Sequence, residues 1–214
     1  MNLRRALRVA AGDLYHQAWR LVVLNILLGA SVIAVVLATL TVRPAVVLAV
    51  LVGPIVAAVM HCTVTLAQTE DLRLTEVVRG LRRYWRRGIA LGVLLAGVGM
   101  LGGIVIPFYA RAGIWAWPLA VVCAYLVLMF LVFQLALWPI AVFEAERPFG
   151  QVVRDAAFAL GRRPLGFLGL AFALLLVNLL GVAAAILPFL SLTIAYSFLV
   201  SAHFALPKNP AREV

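Results

Sequence analysis

Charged residues are scarce in this sequence, and none lies in the middle of its long apolar stretches. Only 12% of the residues are charged and 65% are hydrophobic, whereas soluble domains have about 25% and about 45–50%. This composition excludes a water-soluble globular domain and predicts an all-α integral membrane protein. Because each span needs about 20 apolar residues, we expect the 214 residues to form a single transmembrane domain.

The short motifs of common catalytic sites are also missing. The sequence has no GxSxG nucleophile turn, no GxxxxGK[ST] phosphate loop and no HExxH zinc motif. Its two cysteines, Cys62 and Cys123, stand singly in apolar runs, which indicates neither a disulfide framework nor a zinc site. We therefore expect a protein that is not an enzyme and that holds no cofactor or metal.

Six apolar runs predict six transmembrane helices. Their approximate ranges are 21–42, 45–67, 89–109, 114–143, 165–187 and 189–206. Three amphipathic segments, at about 3–19, 72–87 and 149–161, have apolar residues at helical spacing and arginines largely on the other side. Such segments predict interfacial helices at the membrane surface.

Basic residues are distributed unevenly between the two sides of this arrangement. Seventeen of the eighteen are arginines, and only Arg43 and Arg111 fall on the side opposite the termini. The positive-inside rule then places both termini and the charged segments 70–88 and 144–164 in the cytoplasm. The net charge of +10 is explained by contact with the anionic headgroups of the bilayer, so nucleic acid is not expected as a partner.

The same segmentation indicates an internal repeat. Each of three units has a cytoplasmic amphipathic helix followed by a transmembrane hairpin, and Glu76–Arg79 (EVVR) resembles Gln151–Arg154 (QVVR) at an offset of 75. A three-fold parallel repeat has its axis along the membrane normal. The alternative is that any charged loop before an apolar helix has this composition, and the sequence leaves both open.

Several segments carry a resemblance to a known family. They are Trp19–Asn25 (WRLVVLN), Gly53-Pro54 followed by Ala57-Ala58, Val77–Arg83 (VVRGLRR) and Arg163-Pro164. Over the first ninety residues above all, the chain resembles the YesL-like family of bacterial polytopic membrane proteins. The resemblance implies a protein of the bacterial inner membrane, often encoded beside carbohydrate ABC-transporter components and without an established biochemical activity.

Polar residues near the cytoplasmic ends of the predicted spans form one candidate site. His61 and His203 lie in the cytoplasmic third of the second and sixth spans, where Gln134 and Glu144 can join them in a polar intramembrane pocket. The alternative role of such side chains is interhelical hydrogen bonding. That role is the one expected for Asn25 and also for Asn178.

The first charged segment offers a second candidate site. Its arginines are suited to bind anionic lipid headgroups or a partner protein, and their alternative role is to fix the topology. They are Arg79, Arg82, Arg83, Arg86 and Arg87.

Three functions agree with these observations. The first is a non-enzymatic accessory or scaffold protein associated with carbohydrate ABC-transporter subunits, as the resemblance implies. The second is a small-solute transporter or channel built from parallel hairpins, although no charged residue lies mid-span to relay ions. The third is a lipid-binding or lipid-handling protein. The sequence does not indicate an oligomeric state.

Overall fold

The computed structural model describes residues 3–41, 49–69, 75–184 and 193–206. Within these ranges the chain forms α-helices and no strand. The helices are α1 (Leu3–His16), α2 (Ala18–Thr41), α3 (Ala49–Thr69), α4 (Thr75–Arg111), α5 (Trp117–Phe143), α6 (Phe149–Arg162), α7 (Pro164–Ala184) and α8 (Ile194–Ala205). A 3₁₀ turn at Ile114–Ala116 precedes α5.

Five helices are long and apolar enough to cross a membrane, namely α2, α3, α4, α5 with its preceding turn, and α7. The protein is therefore an all-α, multi-pass membrane protein, which confirms the predicted class. The expected sixth span falls on α8, whose 12 residues extend about 18 Å, less than the ~30 Å of a hydrocarbon core. Residues 42, 45–48, 185–187 and 189–192 of the expected spans lie outside the described residues.

Three helices form the inside of the bundle, because α3, α5 and α8 contact one another. Their facing side chains are at most 2% exposed and include Val59, Met60, Ala136, Leu137, Leu199 and Val200. The outer helices each contact two inner ones: α2 contacts α3 and α8, α4 contacts α3 and α5, and α7 contacts α5 and α8. The outer surfaces of these helices carry apolar side chains suited to lipid.

One end of the bundle gathers most of the charged side chains. It is formed by α1, the first part of α4, the C-terminal ends of α5 and α8, and α6. Arg147, between α5 and α6, lies 2.9 Å from Asp155 of α6 and so ties these elements together. We call this the arginine-rich end.

Residues 75–87 of the interfacial helix expected at 72–87 form one uninterrupted helix, α4, of 37 residues, with the span expected at 89–109; residues 72–74 lie outside the described residues. It extends about 55 Å, well beyond the ~30 Å hydrocarbon core. The charged segment is therefore a direct helical continuation of a span, which differs from the separate surface helix expected. The physical reason is that Gly80, Tyr84 and Gly88 are buried along one face of this segment, where it packs against α3.

The close approach of α3 and α4 depends on glycine. A Cβ at Gly88 would lie 2.5 Å from the Cα of Pro54, and one at Gly92 would lie 3.3 Å from the Cα of Gly53. Backbone atoms cannot rotate away from such an overlap. Small residues in this pattern let transmembrane helices pack with their backbones in contact.

Gly88→Ala is expected to destabilise the protein by about 1–3 kcal/mol, because the added methyl group overlaps the backbone of α3. The matched control is Gly97→Ala on the same helix, where a Cβ meets nothing within 4 Å. The measurement is the midpoint of SDS-induced unfolding in mixed micelles, followed by far-UV circular dichroism. Equal midpoints for the two variants would show that the glycine contact does not matter.

Candidate functional site

His61 of α3 faces a row of residues on α4. Residues four apart in a helix lie on one face, so Glu76, Gly80 and Tyr84 all point towards this histidine. Its Nε2 lies 3.3 Å from Oε2 of Glu76, and its ring centroid lies 5.2 Å from that of Tyr84. A Cβ at Gly80 would come within 2.9 Å of the imidazole Cδ2. This face of α4 is therefore shaped to accept the histidine.

His203 makes a similar contact near the C-terminal end of α8. Its Nε2 lies 2.8 Å from Oδ2 of Asp13 on α1, and the histidine side chain is only 7% exposed. Ala6 and Ala10 are fully buried where α1 meets the bundle, and their small side chains permit a close approach. A polar contact as well as apolar packing therefore fixes α1 to the bundle.

The four residues of the expected intramembrane pocket make no hydrogen bond or ion pair with one another within the described ranges. Each histidine has its own carboxylate, and Glu144 lies 3.1 Å from Nη1 of Arg147 instead. Gln134 is buried, and neither atom of its amide has a hydrogen-bond partner among the residues that the structure describes. The two histidines, His61 and His203, thus share a type of partner but no direct contact.

The arginines of the second candidate site have different surroundings. Arg79 pairs with Glu76 on its own helix, and Arg83 lies 3.8 Å from an exposed glutamate. Arg82 and Arg86 are exposed, and neither has an ion pair or hydrogen bond to the described part of the chain. These two guanidinium groups are therefore free of protein partners in the described structure, whereas Arg79 and Arg83 are exposed but each has an acidic neighbour.

Arg87 is occupied by backbone carbonyl groups at the C-terminal end of α5. Its Nη1 donates to the oxygens of Ala141 and Glu144, both at 2.8 Å, and its Nη2 donates to the oxygen of Arg147. The last carbonyls of a helix lack an intrahelical partner and carry partial negative charge. Arg87 therefore caps α5 from a different helix, and its guanidinium group is already engaged by backbone acceptors.

Arg82 and Arg86 border a cleft of about 620 Å³ on α4, together with Arg83 and Arg87. Leu81 and Trp85 supply the apolar part of its wall, and Trp85 is 45% exposed. A wall that combines guanidinium groups with an indole suits an acidic group attached to an apolar body.

The partners of the two histidines, Asp13 and Glu76, are absent from the site expected from the sequence. Each is the single acid of its helix, α1 or α4. A histidine in an apolar run needs a polar partner. A lone acid on a neighbouring amphipathic segment is thus the signal that could have identified both pairs.

No protein-family model, curated protein or solved structure matches this chain. Among the described residues, no group of three or more His, Cys, Asp or Glu side chains is placed to hold a metal ion. The polar side chains of the arginine-rich end instead join helices: His61 joins α3 to α4, His203 joins α8 to α1, and Arg87 joins α4 to α5.

Asp13→Ala is expected to lower the free energy of unfolding by about 1–3 kcal/mol, because it leaves the buried imidazole of His203 without its partner. The matched control is Glu146→Ala, since that side chain is 94% exposed and lies 3.8 Å from Arg83. A change within about 0.5 kcal/mol is expected for the control. SDS unfolding midpoints measure both, and similar small shifts would contradict a structural role for the pair.

Arg87→Gln is expected to loosen the chain after α5, because three carbonyl groups lose their guanidinium donor. Amide hydrogen exchange across residues 144–151 should become about tenfold faster, as the loss of about 1.4 kcal/mol of local stability predicts. Arg86→Gln removes an exposed guanidinium one position away and should leave the rate unchanged. Mass spectrometry of deuterated peptides measures the exchange, and equal rates in both variants would argue against the cap.

Proposed function

We propose that this protein is a non-enzymatic membrane scaffold whose arginine-rich end binds a partner protein at the cytoplasmic face of a bacterial inner membrane. The observation that carries the proposal is the way in which Arg82 and Arg86 are presented. They are exposed and available, whereas the opposite face of the same helical segment is fixed to α3 through Tyr84 and Gly88. A binding surface that is already rigid loses less conformational entropy when a partner docks.

The inside of the bundle supports a scaffold over a transporter or channel. A conduit needs polar groups or a wettable constriction along its wall. The side chains between α3, α5 and α8 are instead mainly aliphatic and fully buried, as Ala136, Leu137 and Leu199 illustrate at 0% exposure.

We also infer that six membrane helices form three hairpin units around a pseudo-threefold axis. The pattern of contacts supports this arrangement, because each outer helix contacts its own inner helix and that of the preceding unit. The amphipathic segments follow the same rule: α1 contacts α8, the first part of α4 contacts α3, and α6 contacts α5. A histidine–carboxylate pair lies at two of these three junctions.

Subunits of a carbohydrate ABC transporter are the partner class implied by the resemblance to YesL-like proteins. An acidic patch on such a subunit complements Arg82 and Arg86, and charge complementarity of this kind accelerates association and selects partners. Anionic headgroups around the complex contact the same surface and retain it near the bilayer.

Reversing these charges should therefore release the partner. In a mild-detergent purification from native membranes, Arg82→Glu/Arg86→Glu is expected to reduce the co-purified transporter subunits at least tenfold, as the loss of two charge-assisted contacts predicts. The matched control is Arg4→Glu/Arg5→Glu, which changes the net charge equally at two exposed positions of α1.

Quantitative mass spectrometry of the purified material measures the result. Equal losses in the two double variants would assign the effect to net charge rather than to the α4 surface. Failure of the unaltered protein to retain any transporter subunit, together with unchanged sugar uptake in a deletion strain, would contradict the scaffold proposal.

A further inference from the structure

A groove of about 490 Å³ separates α5 from α7. Positions 168–178 of α7 and 128–135 of α5 line it. At 1.5 Å per residue, its α7 side extends from about 6 to about 21 Å beyond Pro164. Two arginines directly precede that proline and mark the aqueous end of the helix. The groove therefore lies within the ~30 Å hydrocarbon region, where its occupant must be largely apolar.

The walls of this groove are apolar apart from two side chains, Asn178 of α7 and Ser197 of α8. Asn178 Nδ2 donates to the backbone oxygen of Leu174 at 2.7 Å and to Oγ of Ser197 at 2.9 Å. Ser197 Oγ in turn donates to the backbone oxygen of Thr193 at 2.8 Å. Every donor of the polar pair is thus already used.

The remaining polar atom is an acceptor. The carbonyl of Leu174 can only accept a hydrogen bond, so the amide nitrogen of Asn178, and not its oxygen, must face it. Asn178 Oδ1 then receives no hydrogen bond from the described chain, and it is not sealed inside the protein as the amide of Gln134 is. An unmatched carbonyl in hydrocarbon is unfavourable, so a ligand that brings one donor is favoured there.

We propose that this groove binds a neutral lipid with a free hydroxyl group, of the diacylglycerol or long-chain alcohol class. Its hydrocarbon chain lies along the apolar walls, and its hydroxyl donates to Oδ1 of Asn178. The lipid enters sideways from the bilayer, because the lining residues Phe172 and Leu175 are each 62% exposed. The described lining contains no basic residue, which disfavours an anionic headgroup. The site does not depend on the scaffold function or on its arginines.

A pair of matched lipid probes tests the proposal. Dioleoylglycerol with a photoreactive diazirine in one chain carries the hydroxyl donor, and its acetyl ester lacks only that donor. In phosphatidylcholine nanodiscs, the free alcohol should label peptides 128–135 and 168–178 about fivefold more strongly than the ester, as one hydrogen bond predicts. Asn178→Leu should label equally with both probes.

Two further variants separate groove binding from general contact with lipid. Ala171→Phe fills the groove and should abolish labelling by both probes. Leu180→Phe adds the same ring to α7 at a position that is 67% exposed and outside the groove lining, and it should label like the unaltered protein. Equal labelling of the unaltered protein by the two probes would overturn the proposal even if Asn178→Leu failed to fold. An unchanged preference in a folded Asn178→Leu variant would overturn it as well, whatever the result of the transporter purification.

Discussion

The packing of the helices at the arginine-rich end depends on one constraint. A histidine side chain in an apolar bundle needs a polar partner within the protein. An unpaired polar group in hydrocarbon costs several kcal/mol. His61 and His203 lie on inner helices, and the acids that pair with them lie on α4 and α1. The amphipathic segments that carry these acids are consequently drawn onto the bundle. The polar pairs therefore act together with close packing, of Ala6 and Ala10 on the bundle and of Tyr84 and Gly88 on α3, to determine where these segments lie.

Because α4 packs on α3 in this way, its arginines have different surroundings and different roles. Once Tyr84 and Gly88 pack on α3, the next guanidinium along the helix, Arg87, reaches the open carbonyls of α5. Its guanidinium group forms hydrogen bonds with backbone carbonyls in place of water, and these bonds connect α4 to α5. Arg82 and Arg86 point away from these contacts and keep their hydration. Side chains of one type within six residues thus serve different purposes, and only their orientation around the helix separates them.

Hydropathy alone predicts the membrane class and the location of the long apolar helices, because those properties depend on local composition. The pairings do not follow from it. Asp13 and His203 are 190 residues apart, so only the packing of α1 on α8 reveals them as partners. The sequence also does not reveal that α4 continues through Gly88, since a glycine between a charged segment and an apolar one is typical of a helix boundary. Here the glycine permits contact with Pro54, and the helix continues through this position.

Three buried or half-buried amides show why an unpaired atom does not by itself indicate a ligand. Asn25 Oδ1 accepts the backbone N–H of Ala195 at 2.9 Å and so caps the first turn of α8. Gln134 has no partner for either amide atom, but both atoms are enclosed within the described structure. Asn178 combines an unused acceptor with a groove that opens to lipid. An unmet hydrogen bond favours a ligand only where the ligand can reach it, and of these three amides only Asn178 meets that condition.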